Sequence, residues 1–157
     1  MRNIIILLLF STVTAFSQVK TVKLDALTSL LNNDADSVYV INFWATWCKP
    51  CIEELPYFEE ATSAFSQKNV RVILVSLDSP LELDRVLLPF VKKKDLKSEI
   101  LLLDEQNPNE WIDKIETEWT GSLPATIILR NRIKKRVFLE KQLEKEELFT
   151  TIQSMME

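Results

Sequence analysis

Between residues 38 and 139 the chain alternates short runs rich in β-branched and aromatic residues with stretches whose apolar residues recur at helical spacing. That alternation restricts the fold more than any other feature. Val38 to Phe43 (VYVINF), Val70 to Leu77 (VRVILVSL) and Ile100 to Leu103 read as buried strands, apolar on both sides. Ala125 to Leu129 and Ile133 to Leu139 read as a hairpin that turns near Asn131. Between them, Ile52, Leu55, Phe58, Ala61 and Phe65 share one helical face. So do Leu83, Val86, Leu87 and Phe90, then Ile112, Ile115 and Trp119, and finally Leu148, Ile152 and Met155. Strands and helices in this order predict an α/β domain with a sheet covered by helices on both faces. No internal repeat or long Pro/Gly/Ser linker divides it, so residues 18–157 form one domain in this reading.

The start of the chain has a different character. Met1-Arg2-Asn3 is a short positive beginning, Ile4 to Phe10 is wholly apolar, and Ala15-Phe16-Ser17 offers a small-x-small cleavage site. Residues 1–17 therefore read as a signal peptide, with a mature chain beginning near Gln18. The apolar stretch is shorter than the roughly 20 residues of a spanning helix, so a permanent anchor through residues 4–16 is the alternative if the signal is not cleaved. Export implies oxidising surroundings, the periplasm or an equivalent compartment.

Composition removes several function classes. A single glycine, Gly121, cannot build a phosphate loop or a dinucleotide fingerprint. The absence of histidine removes Ser-His and Cys-His pairs, His-ligated metals and a c-type haem site. A formal charge of −4 offers no basic field for nucleic acid. No cofactor is expected. The chemistry that remains rests on two cysteines.

Both lie in Trp47-Cys48-Lys49-Pro50-Cys51, after the strand ending near Phe43 and before the helix carrying Ile52 and Leu55. Cys48 is thus placed at a helix N-terminus, where unpaired N–H groups and the helix dipole favour thiolate over thiol, with Lys49 adding to the field. If the thiol pKa fell from ~8.5 to ~7, thiolate at pH 7 would rise from ~3% to ~50%, and the loss of intrinsic nucleophilicity would be only about fivefold. Two plainer alternatives exist. A staple closing so small a loop removes only ~2 kcal/mol of chain entropy, and a domain of this size does not need one. Half of a zinc site would have to be completed by Asp and Glu alone.

The run Ile41-Asn42-Phe43-Trp44-Ala45-Thr46-Trp47-Cys48-Lys49-Pro50-Cys51-Ile52-Glu53-Glu54-Leu55-Pro56 resembles the active-site segment of exported thioredoxin-like thiol-disulfide oxidoreductases of the TlpA/ResA type. The likeness continues at Val75-Ser76-Leu77-Asp78, similar to the end of that group's third strand, and at Gly121-Ser122-Leu123-Pro124-Ala125-Thr126, similar to its cis-proline loop. It implies a thioredoxin-like fold, with a central mixed, mainly parallel sheet, an antiparallel final hairpin and a C-terminal helix. It also implies roles: Cys48 as exposed nucleophile, Cys51 as buried resolving thiol, and Pro124 as the cis-proline facing the disulfide. Trp47, Pro50 and Leu123 would contact substrate, the backbone of Leu123 pairing with an extended segment. A strand-entry proline is the plainer account of Pro124, and a packing residue that of Trp44. Pro56 matches a kink in the active-site helix.

Where thioredoxins carry a buried Asp, this chain has Asn42, which cannot titrate. Glu54, three residues after Cys51, matches a glutamate that exported members use, which would make it the proton acceptor. An exposed acid that favours the helix dipole is its plainer account. Two departures stand out: the hairpin turn is Arg130-Asn131-Arg132 without the usual Asp and Gly, and Lys134, Lys135 and Arg136 make that edge basic. A charged edge strand that resists pairing explains this, with an acidic docking partner as the sharper alternative.

The expectation is an exported monomer that reduces disulfides of exported proteins, apocytochromes c among them, and is recharged by a membrane thiol-electron donor. A thiol oxidant or isomerase is the alternative within the class. A non-catalytic thioredoxin-fold binding module is the alternative outside it.

Overall fold

The computed structural model describes residues 19–157. The expected signal peptide, its cleavage site and Gln18 lie outside the described residues. Six strands form one sheet in the order β1-β4-β3-β2-β5-β6: β1 (Val19–Val22), β2 (Val38–Trp44), β3 (Val70–Ser76), β4 (Glu99–Leu103), β5 (Ala125–Arg130) and β6 (Lys135–Leu139). The first four in space are parallel, while β5 runs antiparallel to β2 and β6 antiparallel to β5. The sheet is mixed, as expected.

Side-chain alternation along these strands assigns each residue to one of two apolar layers. Val38, Val40 and Trp44 of β2, with Leu74 of β3 and Ile100 of β4, join Leu55, Phe58 and Ala61 of α2 (Lys49–Ala64) and Leu148, Ile152 and Met155 of α5 (Lys145–Met156). Val91 of α3 (Leu88–Lys94) completes that face, entered through a π-helical turn at Leu83–Leu87. Tyr39, Ile41 and Phe43 face the other way, onto Leu27 and Leu31 of α1 (Leu24–Leu31) and Trp111 and Ile115 of α4 (Pro108–Ile115). Each fully buried Leu, Ile or Phe stabilises this sandwich by about 1.5–3 kcal/mol.

Three local differences from the sequence expectation have physical causes. β1 and α1 precede the first expected strand; β1 is an edge strand with one buried residue, too short to show alternation. The helix expected through Trp119 stops at Ile115, because Glu116 is extended at φ −155°. Trp119 is nonetheless buried, its ring 4.6 Å from Phe43 and its Nε1 donating to Ser122 O at 2.9 Å. Ile133, expected at the start of the last strand, lies in a 3-10 turn (Asn131–Ile133) closed by Lys134 at φ 56°.

The basic run at this hairpin is largely engaged within the chain. Arg130 donates to the carbonyls of Met155 and Met156, and Lys135 to that of Ser154, all at the C-terminal end of α5. Arg136 does the same for Ile115 O at the end of α4, at 2.7 Å, and pairs with Glu116. Cations at helix C-termini satisfy free carbonyls and oppose the negative end of the dipole.

Candidate redox site

Strand β2 ends at Trp44, and the loop Ala45–Trp47 leads directly into α2 with Cys48 as its N-cap residue. Cys48 Sγ accepts from the N–H of Cys51 at 3.3 Å, the position a Ser or Asp side-chain oxygen holds in an ordinary N-cap. Pro50, half-buried, is tolerated because the N–H it lacks has no acceptor in the first helical turn. Helix α2 continues through Pro56, which leaves Ile52 O without its helical donor. Cys48 and Cys51 form a disulfide with their Cα atoms 5.3 Å apart. Cys51 is fully buried and Cys48 is 6% exposed, so the difference in access has the expected direction but Cys48 is far from open. In the oxidised state its sulfur lies against the N-terminus of α2 and packs with the core. Beside it, Trp47 projects into solvent with 68% of its surface exposed, whereas Trp44 is fully buried, its ring 5.5 Å from Phe90.

The loop is tied down from β3. Asp78, 2% exposed, accepts from Thr46 N at 3.1 and 3.2 Å, from Thr46 Oγ1 at 2.6 Å and from Ser76 Oγ at 2.7 Å, while Leu77 N donates to Trp44 O. In the sequence Ser76 and Asp78 stand out only through the family resemblance, and the local signal is a polar Ser-x-Asp that closes an otherwise apolar strand.

Just before β5 lies the Leu123–Pro124 peptide, which is cis. Pro124 is buried and Leu123 half-buried, packed against both apolar layers. Glu140, just after β6, anchors this loop: its carboxylate accepts from Thr120 N, Thr120 Oγ1 and Ser122 N. Partial burial pushes the Glu140 carboxyl upward, but the bonds from Thr120 and Ser122 outweigh it and hold the pKa below the usual range. Nothing in the sequence marked Glu140, which lies about twenty residues from the loop it holds.

Glu54 is fully buried on α2, one turn after Cys51. The account of it as an exposed, dipole-favouring acid therefore does not describe this molecule. Its Oε1 accepts from Asn42 Nδ2 at 2.8 Å and its Oε2 from Leu143 N at 2.7 Å. Asn42 also donates to Thr126 Oγ1 at 3.0 Å, its register partner across the β2–β5 pair. Burial raises the Glu54 pKa to about 7, against the lowering effect of the bonds from Leu143 and Asn42. Neighbouring Glu53 points outward to Lys49 and Gln142. The site thus combines a sulfur pair at a helix N-terminus with a buried carboxyl whose pKa is raised to about 7.

A mainly parallel sheet extended by an antiparallel hairpin, a disulfide at the start of the helix after β2 and a cis-proline before β5 define a thioredoxin-like protein. The chain belongs to the AhpC/TSA family, which matches residues 11–136. It is 44% identical over 57 residues to the thiol-disulfide oxidoreductase ResA of Bacillus thuringiensis subsp. konkukian, covering 36% of this chain and 31% of that protein. With ResA of Bacillus anthracis the identity is 33% over 89 residues, 57% of this chain and 46% of the other. The match thus spans less than half the length of either relative. The crystal structure of a thioredoxin-related protein from Neisseria meningitidis serogroup B superimposes with a TM-score of 0.66 at 22% identity, covering 81% of this chain and 90% of that one.

Proposed function

We propose that this chain is a thiol-disulfide oxidoreductase acting on exported proteins, working through the Cys48/Cys51 dithiol in the reducing direction. One observation carries the proposal: a cysteine pair at the N-terminus of α2 has a buried carboxyl, Glu54, on the next helical turn. The short, strong identity to ResA proteins supports it.

In the reduced chain the Cys48 thiolate attacks one sulfur of a partner's disulfide. A Cys48–partner disulfide forms and the partner's other sulfur leaves as thiolate. Cys51 then gives its proton to Glu54 and attacks Cys48 Sγ, re-forming the disulfide seen here and releasing the partner's second thiolate. Two electrons pass from the chain to the partner. On gaining the proton Glu54 needs an acceptor where it had a donor. Asn42 supplies one by turning its amide, since its buried Oδ1 has no hydrogen-bond partner while Nδ2 serves the carboxylate. Trp47, Pro50 and Leu123 line the approach to Cys48, and Pro124 leaves the Leu123 backbone available to an extended segment.

In oxidising surroundings such a reductant requires a membrane thiol-electron donor, and export through residues 1–17, or anchoring by 4–16, puts it there. Apocytochromes c, whose cysteines must be reduced before haem attaches, are one substrate class the ResA likeness favours.

Trapping tests the proposal. Cys51→Ser accumulates reduction-sensitive adducts with exported proteins, because the first step proceeds and the second cannot, whereas Cys48→Ser accumulates few. Adducts with neither variant, together with no disulfide reduction by the wild type, would favour a binding module whose cysteines stay oxidised.

A further inference from the structure

A groove of about 600 Å³ opens beside the redox site, at the carboxyl ends of the parallel strands β3 and β4. Its size is that of a ligand-binding cleft. Trp47 and Leu123 form the end nearest Cys48, and Leu77, Trp111 and Ile112 lie along it. Leu81, in the 3-10 turn after β3, is 89% exposed on its border, and with Trp47 it accounts for two of the four large apolar side chains exposed among the described residues. Large exposed apolar groups that gather at one cleft mark an interaction surface.

The charges of the groove have one sign. Asp78, Asp104 and Glu105 line it, and no Lys or Arg does. Asp78 is spent on the Thr46 loop, as described above. Asp104 shares Lys23 from the strand border, at 2.9 Å, and Glu105 gives one oxygen, Oε1, to Leu24 N. One lysine against two carboxylates, those of Asp104 and Glu105, leaves the distal end negative.

We propose that this groove selects the substrate: it takes an extended segment of a partner protein next to the reacting cysteine, with a bulky apolar side chain between Trp47, Leu81 and Ile112 and a lysine or arginine beyond it facing Glu105 and Asp104. The inference rests on the oxidoreductase proposal, because it is exchange at Cys48 that brings the partner's chain to this end of the groove. Its nearness to Cys48, through the adjoining Trp47, argues for a protein segment, and its acidic end argues against an anionic lipid surface.

The test compares two peptides that share one intramolecular disulfide ring, flanked on both sides by Leu-Lys in one and by Ser-Glu in the other. Reduced full-length protein is mixed with each, and the rate constant for its oxidation to the Cys48–Cys51 disulfide is measured, with glutathione disulfide as a third oxidant. The Leu-Lys peptide should react about tenfold faster than the Ser-Glu peptide, a difference expected from burying one apolar side chain and pairing one charge. In the Leu81→Ser, Glu105→Gln double variant that ratio should fall below about threefold; Leu81 is exposed, and Gln keeps the acceptor for Leu24 N. Equal rates with the two peptides, or a ratio that the double variant keeps, would overturn the proposal. A concentration-dependent dimer abolished by Leu81→Ser would overturn it too, giving the groove to a second copy. Failure with all three oxidants would instead overturn the oxidoreductase reading on which it rests.

Discussion

The carboxylate of Glu54 accepts a 2.7 Å hydrogen bond from the backbone N–H of Leu143, 89 residues further along the chain. The bond joins the redox helix α2 to the segment that leads into α5, and it holds the carboxyl away from water. Glu54 therefore records the whole packing of this face in its protonation equilibrium.

Between pH 5 and 8 stability should depend on pH chiefly through this group. Because burial raises the folded-state pKa to about 7, the folded chain keeps a proton that the unfolded chain has released between pH ~4.5 and ~7. The native state binds more protons there, so stability falls as pH rises across that window and is level above it. Linkage makes the fall about 3 kcal/mol. Glu54→Gln should remove most of this slope and make the oxidised protein more stable at pH 8 than the wild type. Urea denaturation at pH 5, 6, 7 and 8 measures it, and a slope retained in the variant would mean that another group titrates.

The same substitution should slow exchange. Glutamine cannot take a proton from Cys51, so Glu54→Gln should lengthen the life of mixed disulfides and shift the pH profile of the second step toward higher pH, where Cys51 ionises unaided. Stopped-flow measurement of resolution from pH 6 to 8 reads this directly. Superimposable profiles would remove Glu54 from proton transfer.

Much of this is legible in the amino-acid sequence. The buried strands, the mixed sheet and the place of the cysteines at a helix N-terminus followed from VYVINF, VRVILVSL and the CKPC motif, because local pattern and core burial agree there. Glu54 was legible as a position but not as a buried group, since the residues that enclose it, Asn42 and Leu143, lie on other elements and pair with it only in the folded chain. Trp119 shows the opposite limit. Its spacing from Ile115 fits a helix, and its burial is real, but it is reached by an extended turn that spacing cannot distinguish from a helical one.

Asp78 should matter to the redox loop as much as to the fold. Asp78→Ala leaves the N–H and hydroxyl of Thr46 without their acceptor in a largely buried place, a loss of about 2–4 kcal/mol for the set. Denaturation should show that loss, and hydrogen exchange at the Thr46 amide should accelerate more than exchange in α5. Equal acceleration throughout would mean that Asp78 supports global stability only.

Gly121 is the one glycine of the chain, and it sits where only glycine is comfortable, at φ +93° in the loop before Pro124. A β-carbon there would also come within 3.1 Å of Ile112 Cδ1, which its flexible end can partly relieve. Gly121→Ala should therefore destabilise the protein by about 1–2 kcal/mol, chiefly through backbone strain. Thermal denaturation measures it, and an unchanged midpoint would contradict the conformation described.

The central claim is that Cys48 and Cys51 exchange electrons with protein disulfides, and a thiol count tests it most directly. Fully reduced wild-type protein is mixed with one equivalent of an exported protein carrying a single accessible disulfide, quenched by acid, and the free thiols on each chain are counted by alkylation and mass. The account predicts that Cys48 and Cys51 lose two thiols as the partner gains two, and that Cys48→Ser abolishes the transfer. A partner that stays oxidised while Cys48 and Cys51 remain reduced would contradict it.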